Sequence, residues 1–180
     1  MKKVIYALIV LLVAVSGFVF ANREFKKEAS KKATPKPLSA AEMKSELAKW
    51  EATPPGINFK KWEASPQGKK VLAGAAKIRN QVNTSANMEA VVTSLSLPPG
   101  SQLGFGVMVR INDDEYILSF GPEKPAVLKE LYSLKVNDKI IIRSHFVSYA
   151  PKYSYAIISG DYAERDGKVI YKRTPRKDGC

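Results

Sequence analysis

The sequence predicts a mainly β fold with a helical extension: a barrel of five to six strands, preceded by two helices and an N-terminal signal or anchor helix. Three observations predict it. Segments of period-two alternation, separated by turn residues, recur between residues 86 and 172. Ahead of them, capping signals introduce apolar stripes at helical spacing. At the start, Met1-Lys2-Lys3 leads into an apolar run over residues 4–20.

Composition sets the outer limits. A chain of 180 residues has room for one ordinary domain plus extensions. Apolar residues at 45% and charged residues at 26% suit a globular core and argue against wholesale disorder. The formal charge of +12 invites a polyanionic partner, but its placement decides more than its sum. Residues 22–85 carry 14 Lys/Arg against 6 Asp/Glu, and residues 166–180 carry 5 against 2. Residues 86–165 carry 8 against 9, so the predicted barrel is nearly neutral and its flanks are basic. That distribution argues against a strongly electropositive barrel groove. The single cysteine, Cys180, excludes an intrachain disulfide and a thiolate metal cluster, and leaves a terminal thiol that could pair with another chain.

The N-terminal run reads as an export signal. Val19-Phe20-Ala21 supplies a cleavage site after Ala21, so residues 1–21 form a signal peptide. The rival reading is an uncleaved membrane anchor, since the run nearly spans a bilayer. Under either reading the remainder works outside the cytoplasm, in the periplasm or tethered to the inner membrane and facing it. Residues 22–38, rich in Lys, Ala and Pro, form a basic linker whose six basic residues suit either solvent or an anionic membrane surface.

Residues 39–85 hold the helical extension. Ser39 with Glu42 makes a capping box, and Met43, Leu47 and Trp50 share one face of the helix that follows. Thr53-Pro54-Pro55-Gly56 is expected to end it. Ser65-Pro66 starts a second helix with Val71, Ala75, Ile78 and Val82 as its stripe and residues 83–85 as its exit. An internal echo joins the two: Lys49-Trp50-Glu51-Ala52-Thr53-Pro54 reappears twelve residues later as Lys61-Trp62-Glu63-Ala64-Ser65-Pro66. Two copies do not make a solenoid. Trp50 and Trp62 either pin the helices onto the barrel or offer aromatic anchors to a partner.

The strands follow at residues 88–97, 103–111, 115–120, 139–147 and 155–162, with a short return strand at 168–172 and a frayed tail from 173 to 180. Gly104 and Gly106 in the second strand signal a bend or a close backbone approach. Between the third and fourth strands, residues 125–134 read as a helix carrying Val127, Leu128, Leu131 and Leu134. Three strands, a helix and two or more strands is the element order of an OB-fold. Leu134-Lys135-Val136-Asn137-Asp138-Lys139-Ile140 resembles the V-G-D-x-V lead-in to the fourth strand of many OB-fold domains, with Asn137 in place of glycine. With its export signal, the chain is similar to exported bacterial OB-fold proteins of the envelope, some described as nucleic-acid-binding. The resemblance covers residues 86–172 and implies architecture, because this fold hosts many ligands.

The resemblance implies contact through the face of the second and third strands and through the loops after the first and fourth. Arg110, Tyr116, Arg143, Phe146, Tyr149, Lys152, Tyr153 and Tyr155 are therefore the candidate ligand-binding residues, with Trp50 and Trp62 as candidate partner contacts. The loop after the fourth strand interleaves aromatics with a base, as single-strand nucleic-acid sites do. Its cationic track is thin, because Arg110, Arg143 and Lys152 face Asp113, Asp114, Glu115 and Asp161 in the same region. The single histidine, His145, has no sequence partner for a triad, and no glycine-rich phosphate loop is present. The expected function is a non-enzymatic envelope module that binds a protein partner without cofactor or metal. The alternative is single-stranded nucleic-acid binding outside the cytoplasm.

Overall fold

A computed structural model describes residues 38–174. The expected signal or anchor, most of the basic linker and the end of the tail lie outside these residues. Among the described residues no helix is long and apolar enough to cross a membrane. The chain divides into two compact units, Met1–Glu46 and Leu47–Cys180. In the described part of the first unit the capping box is present: the Ser39 N–H donates to Glu42 Oε2 (2.7 Å), and the Glu42 N–H donates to Ser39 Oγ (3.3 Å).

Three helices precede the strands: α1 (Ala40–Glu51), α2 (Pro54–Ala64) and α3 (Pro66–Asn83). The sequence predicted two. The stretch expected to stop the first helix also starts the next, because Thr53 is the N-cap of α2 and Pro54 fills its first position. Both copies of the echo are such corners. In each, the tryptophan carbonyl accepts from the capping hydroxyl three residues on, at 2.6 Å for both Thr53 and Ser65. That hydroxyl accepts in turn from the glycine N–H, Gly56 at 3.3 Å and Gly68 at 3.0 Å. The glycine is required because a Cβ at either position would overlap the tryptophan carbonyl oxygen. The echo is a repeated helix–helix corner.

Eight strands follow: β1 (Met88–Ser94), β2 (Phe105–Ile111), β3 (Asp114–Gly121), β4 (Lys139–Arg143), β5 (Val147–Ser148), β6 (Ala156–Ser159), β7 (Tyr162–Arg165) and β8 (Lys168–Lys172). They form one sheet in the order β5-β6-β3-β2-β1-β4-β7-β8. All neighbours are antiparallel except β3 and β6, which are parallel. The architecture is therefore mixed helix and sheet rather than mainly β. The sheet has eight strands with two ends, β5 and β8, and is not closed into a barrel, where a barrel of five to six strands was expected.

The difference in number has a local cause. The expected fourth strand is interrupted over residues 144–146, where Ser144 Oγ donates to the Phe146 carbonyl (2.9 Å) and accepts from its N–H (3.0 Å). The expected fifth strand is interrupted at Gly160 and Asp161. The helix predicted over residues 125–134 is a four-residue helix, α4 (Pro125–Leu128), and a 3-10 turn, Leu131–Ser133. Its apolar residues still reach the core through Leu128, Leu131 and Leu134. At Gly104 the predicted close approach is present: φ is +72°, and the residue bridges Gly121.

The core lies between the inner face of the sheet and the apolar stripe of α3. Val71, Ala75, Ile78 and Val82 meet Ala90, Val92, Val107, Val109, Leu118, Ile140, Ile142 and Ile158, all buried. Burial of this apolar surface is the dominant favourable contribution to the fold. Tyr116 ties the two layers together, its hydroxyl donating to the Gly74 carbonyl of α3 at 3.0 Å.

Candidate functional site

The outward side of the sheet has two parts with different fates. On β2 and β3, Met108 and Ile117 point away from the main core, and a second apolar cluster covers them. Tyr153, 3% exposed, and Ile157 complete that cluster, with Leu97, Leu103, Ala150 and Tyr155 around it. The chain between β5 and β6 therefore folds back over the face through which the OB-fold resemblance implied contact. The Gln67 side chain at the start of α3 fastens it, donating to Ser154 Oγ at 3.2 Å and to the Tyr153 carbonyl at 3.4 Å. Tyr149 stacks on Phe59 of α2 and on Trp62, with ring centroids 6.2 and 5.9 Å apart. These tyrosines serve packing.

The remaining candidates scatter. Tyr116 is buried, and its phenol is pushed up to about 12 by burial, with the Asp114 charge adding to the effect. Lys152 lies over the Tyr153 ring at 4.8 Å. Tyr155 is half-buried beside a small cleft with Lys70 and Asp114. Phe146 stands 53% exposed at the interruption between β4 and β5. Trp62 is buried in the core, whereas Trp50 is 42% exposed and meets Phe59 edge-on at 5.7 Å. Arg110, near the end of β2, and Arg143 fall on the other part of the sheet's outward side, which runs over β1, β4, β7 and β8.

Among the described residues that second part carries no covering loop. Strand alternation sends Ile140 and Ile142 inward and leaves Lys139, Ile141 and Arg143 outward. Register then assembles three rows across the sheet. Arg110, Val91 and Lys139 form the first, Glu89, Ile141, Glu164 and Val169 the second, and Arg143, Tyr162 and Lys172 the third. A groove of about 560 Å³ runs over the first two rows, and its lining adds Asn112 and Asp166. A second groove, about 380 Å³, lies over the third, lined also by Ser85, His145, Asp161 and Arg173.

The third row is held in detail. The Arg143 guanidinium lies 3.9 Å from the Tyr162 ring centroid. The Tyr162 hydroxyl donates to Glu164 Oε2 at 2.5 Å, and this bond raises the phenol above its ordinary range, with Arg143 opposing. The Asp161 carboxylate accepts from the His145 N–H at 2.9 Å and pairs with the His145 ring through Nδ1. Its other oxygen lies 2.8 Å from Arg173 Nε, an ion pair by distance without the alignment of a hydrogen bond.

Family models, curated proteins and solved structures yield no match to this chain. Its function must therefore be read from these groups alone.

The His145–Asp161 pair invites a hydrolase reading, because Ser85 lines the same groove. The geometry does not assemble one. Among the described residues no hydrogen bond joins Ser85 to His145, and the neighbouring Ser144 is buried with its hydroxyl committed to Phe146. Nor does any group of three His, Cys, Asp or Glu among the described residues have a geometry that could hold a metal ion. What the groove offers is an aromatic floor and several fixed N–H donors.

Sequence reasoning passed over Tyr162, Lys172 and Arg173 as site residues, left His145 without a catalytic partner and counted Asp161 only among the carboxylates that thin the cationic track. Period-two alternation places Ile141 with Arg143 on one face, and Tyr162 with Glu164 on another. That these faces coincide depends on the pairing of β4 with β7, which alternation does not encode.

Proposed function

We propose that this chain is an exported, non-catalytic binding module of the cell envelope. It engages a protein partner through the outward face of β1, β4, β7 and β8, on a partly open OB-fold barrel. The barrel reading is supported by chain continuity. β4 and β5 are successive halves of one segment, and β6 and β7 of another. β4 pairs with β1 and β7, β5 pairs with β6, and β6 pairs with β3. The bent hairpin thus links both sides of the β1-β2-β3 meander, as the closing strands of a partly open Greek-key barrel do. Export rests on residues 1–21 of the sequence.

One observation carries the choice of partner: the uncovered face alternates charge by row. The cationic row of Arg110 and Lys139 is followed by the row of Glu89 and Glu164, then by that of Arg143 and Lys172, with Val91, Ile141 and Tyr162 between the charges. Successive rows lie about 6.6 Å apart along a strand. A phosphate backbone crossing them would meet a carboxylate row within two steps, which opposes the multiple phosphate contacts that nucleic-acid affinity requires. A protein surface can match alternating signs around apolar contacts.

A photo-crosslinking residue at Ile141 tests this in the intact envelope, with a second at Lys152 on the covered face as comparison. The expected result is a discrete protein adduct from position 141, absent from position 152 and lost on Glu164→Arg. Oligonucleotide titration at low and high salt supplies the refutation. Salt-sensitive binding that Arg110→Glu abolishes and Glu164→Arg does not would replace the protein partner with single-stranded nucleic acid.

A further inference from the structure

We propose that the groove over the Arg143–Tyr162–Lys172 row is a binding site for a phosphate group, carried either by a soluble phosphate monoester or by a lipid headgroup. The inference uses the same face as the preceding reading but does not depend on a protein being its main partner.

The site is built from the backbone outward. Asp161 joins three segments: its N–H donates to the Arg143 carbonyl (2.9 Å), and its own carbonyl accepts from the Arg173 N–H (2.8 Å). Its carboxylate then fixes the two side chains that flank the groove, His145 and Arg173. Arg173 is held a second time, through Nη2 to the Gly160 carbonyl at 3.0 Å. Arg143 is held differently, its guanidinium carbon 3.9 Å from the centroid of the Tyr162 ring, whose own position is set by its bond to Glu164.

A guanidinium over a ring, even with an N–H turned to the Tyr162 hydroxyl, keeps further donors in the fork geometry that suits an oxyanion. Among the described residues neither Arg143 nor Lys172 has a carboxylate partner. Three permanent cations, Arg143, Lys172 and Arg173, together with the His145 donor, therefore line a groove that holds one carboxylate, Asp161. That surplus favours a dianion over a monoanion. The groove, at about 380 Å³, admits a phosphate with part of its bearer. The row of Glu89 and Glu164 immediately alongside opposes a chain of phosphates, so the ligand carries its phosphate at an end.

Nuclear magnetic resonance of the full chain reads the site directly. Inorganic phosphate is titrated at constant ionic strength against chloride, following the Arg143 and Arg173 side-chain Nε–H signals and the Asp161 amide. Saturable shifts are expected, with a dissociation constant below about 1 mM. Arg143→Gln and Lys172→Gln should each weaken binding about tenfold, whereas Lys152→Gln, on the covered face, should leave it unchanged. In a second arm, phosphatidylcholine vesicles with and without phosphatidic acid separate the two sources. Broadening of the same signals only with phosphatidic acid, relieved by Arg143→Gln, assigns the headgroup, and phosphate saturation without that broadening assigns the soluble monoester. Shifts that never saturate, or a loss equal for Lys152→Gln and Arg143→Gln, would reduce the groove to general electrostatic attraction and overturn the proposal. Protein crosslinking at Ile141 could still succeed in that case, so the two readings fail separately.

Discussion

Replacing Gly68 with alanine should destabilise the protein, although alanine is ordinarily the better helix residue by about 0.5–1 kcal/mol. The position lies in the first turn of α3, where a Cβ would overlap the Trp62 carbonyl oxygen and stand 2.7 Å from its carbonyl carbon. The obstruction is backbone, so no rotamer change relieves it and the corner must open. Opening it disrupts three interactions: the Ser65 N–H to Trp62 O bond (2.9 Å), the Ser65 hydroxyl to the same oxygen (2.6 Å), and the Gly68 N–H to Ser65 Oγ (3.0 Å). At about 1 kcal/mol net for each, and with the cap among them, the expected loss is about 2–4 kcal/mol. Gly74, on the same helix, is the internal control. Its added Cβ would find the Tyr116 ring at 3.9 Å, an ordinary contact, so Gly74→Ala should be neutral or stabilising by up to about 1 kcal/mol. Equilibrium urea unfolding of the wild type and both variants measures the difference as a shift in midpoint at constant slope. If Gly68→Ala unfolds at or above the wild-type midpoint, the corner is not the reason for the glycine and the reading of the echo is wrong.

Two further outcomes follow from titrating groups. Tyr116 keeps its proton to about 12 in the folded state, against an ordinary value of 10.0. Between those values the unfolded chain loses the proton first, so stability falls as pH rises above 10. The gap corresponds to about 2–3 kcal/mol at most. Tyr116→Phe should cost about 0.5–1.5 kcal/mol at neutral pH through the lost bond to Gly74 and should flatten the alkaline decline; an unchanged decline refutes the assignment. Asp138 titrates in the opposite sense. Burial alone would raise its carboxyl, but the Lys135 N–H at 2.9 Å and Arg165 at 2.7 Å outweigh burial and hold it below the usual range. Its contribution is present above the unfolded value and lost as pH falls through the lowered folded one. Asp138→Asn should cost about 1–2 kcal/mol at pH 7 in urea unfolding and progressively less in acid, and a loss independent of pH would contradict it.

Much of the fold was legible because its causes are local. The Ser39–Glu42 box, the Ser65-Pro66 start and the alternation of β1 to β4 depend on residues within a few positions of one another. Asn137 is another such case. It replaces the glycine of the V-G-D-x-V lead-in, and its φ of +73° is one that asparagine tolerates better than most side chains. The missed helix, α2, was also locally signalled. Thr53-Pro54 is the same helix-start signal as Ser65-Pro66, and an expected count of two helices leaves out the one that it begins. The interruptions of the fourth and fifth strands were not legible. The second falls beside Gly160, where a Cβ would stand 2.8 Å from the Phe120 ring, and that neighbour belongs to β3, forty residues earlier in the chain.

The candidate site moved for a related reason. Aromatic content made the chain between β5 and β6 look like a contact loop, and residue type could not say whether those rings face solvent or protein. Two apolar surfaces nearby needed cover: Met108 and Ile117 outside the sheet, and Phe59 with Trp62 on the inner side of α2. Tyr153 and Tyr149 meet those needs, and burying them there keeps apolar area from water as no loose loop could. The helical extension thus consumes the aromatic loop that a bare barrel would have offered to a ligand. What remains open is the face whose side chains are too polar to have been recruited into packing, with Arg143 and Lys172 lacking carboxylate partners among the described residues. A surface left cationic, with His145 and Arg173 held by Asp161 and Arg143 held over Tyr162, has most of its donors placed before any ligand arrives. That is the condition under which a small groove binds selectively, because little ordering entropy is left to lose.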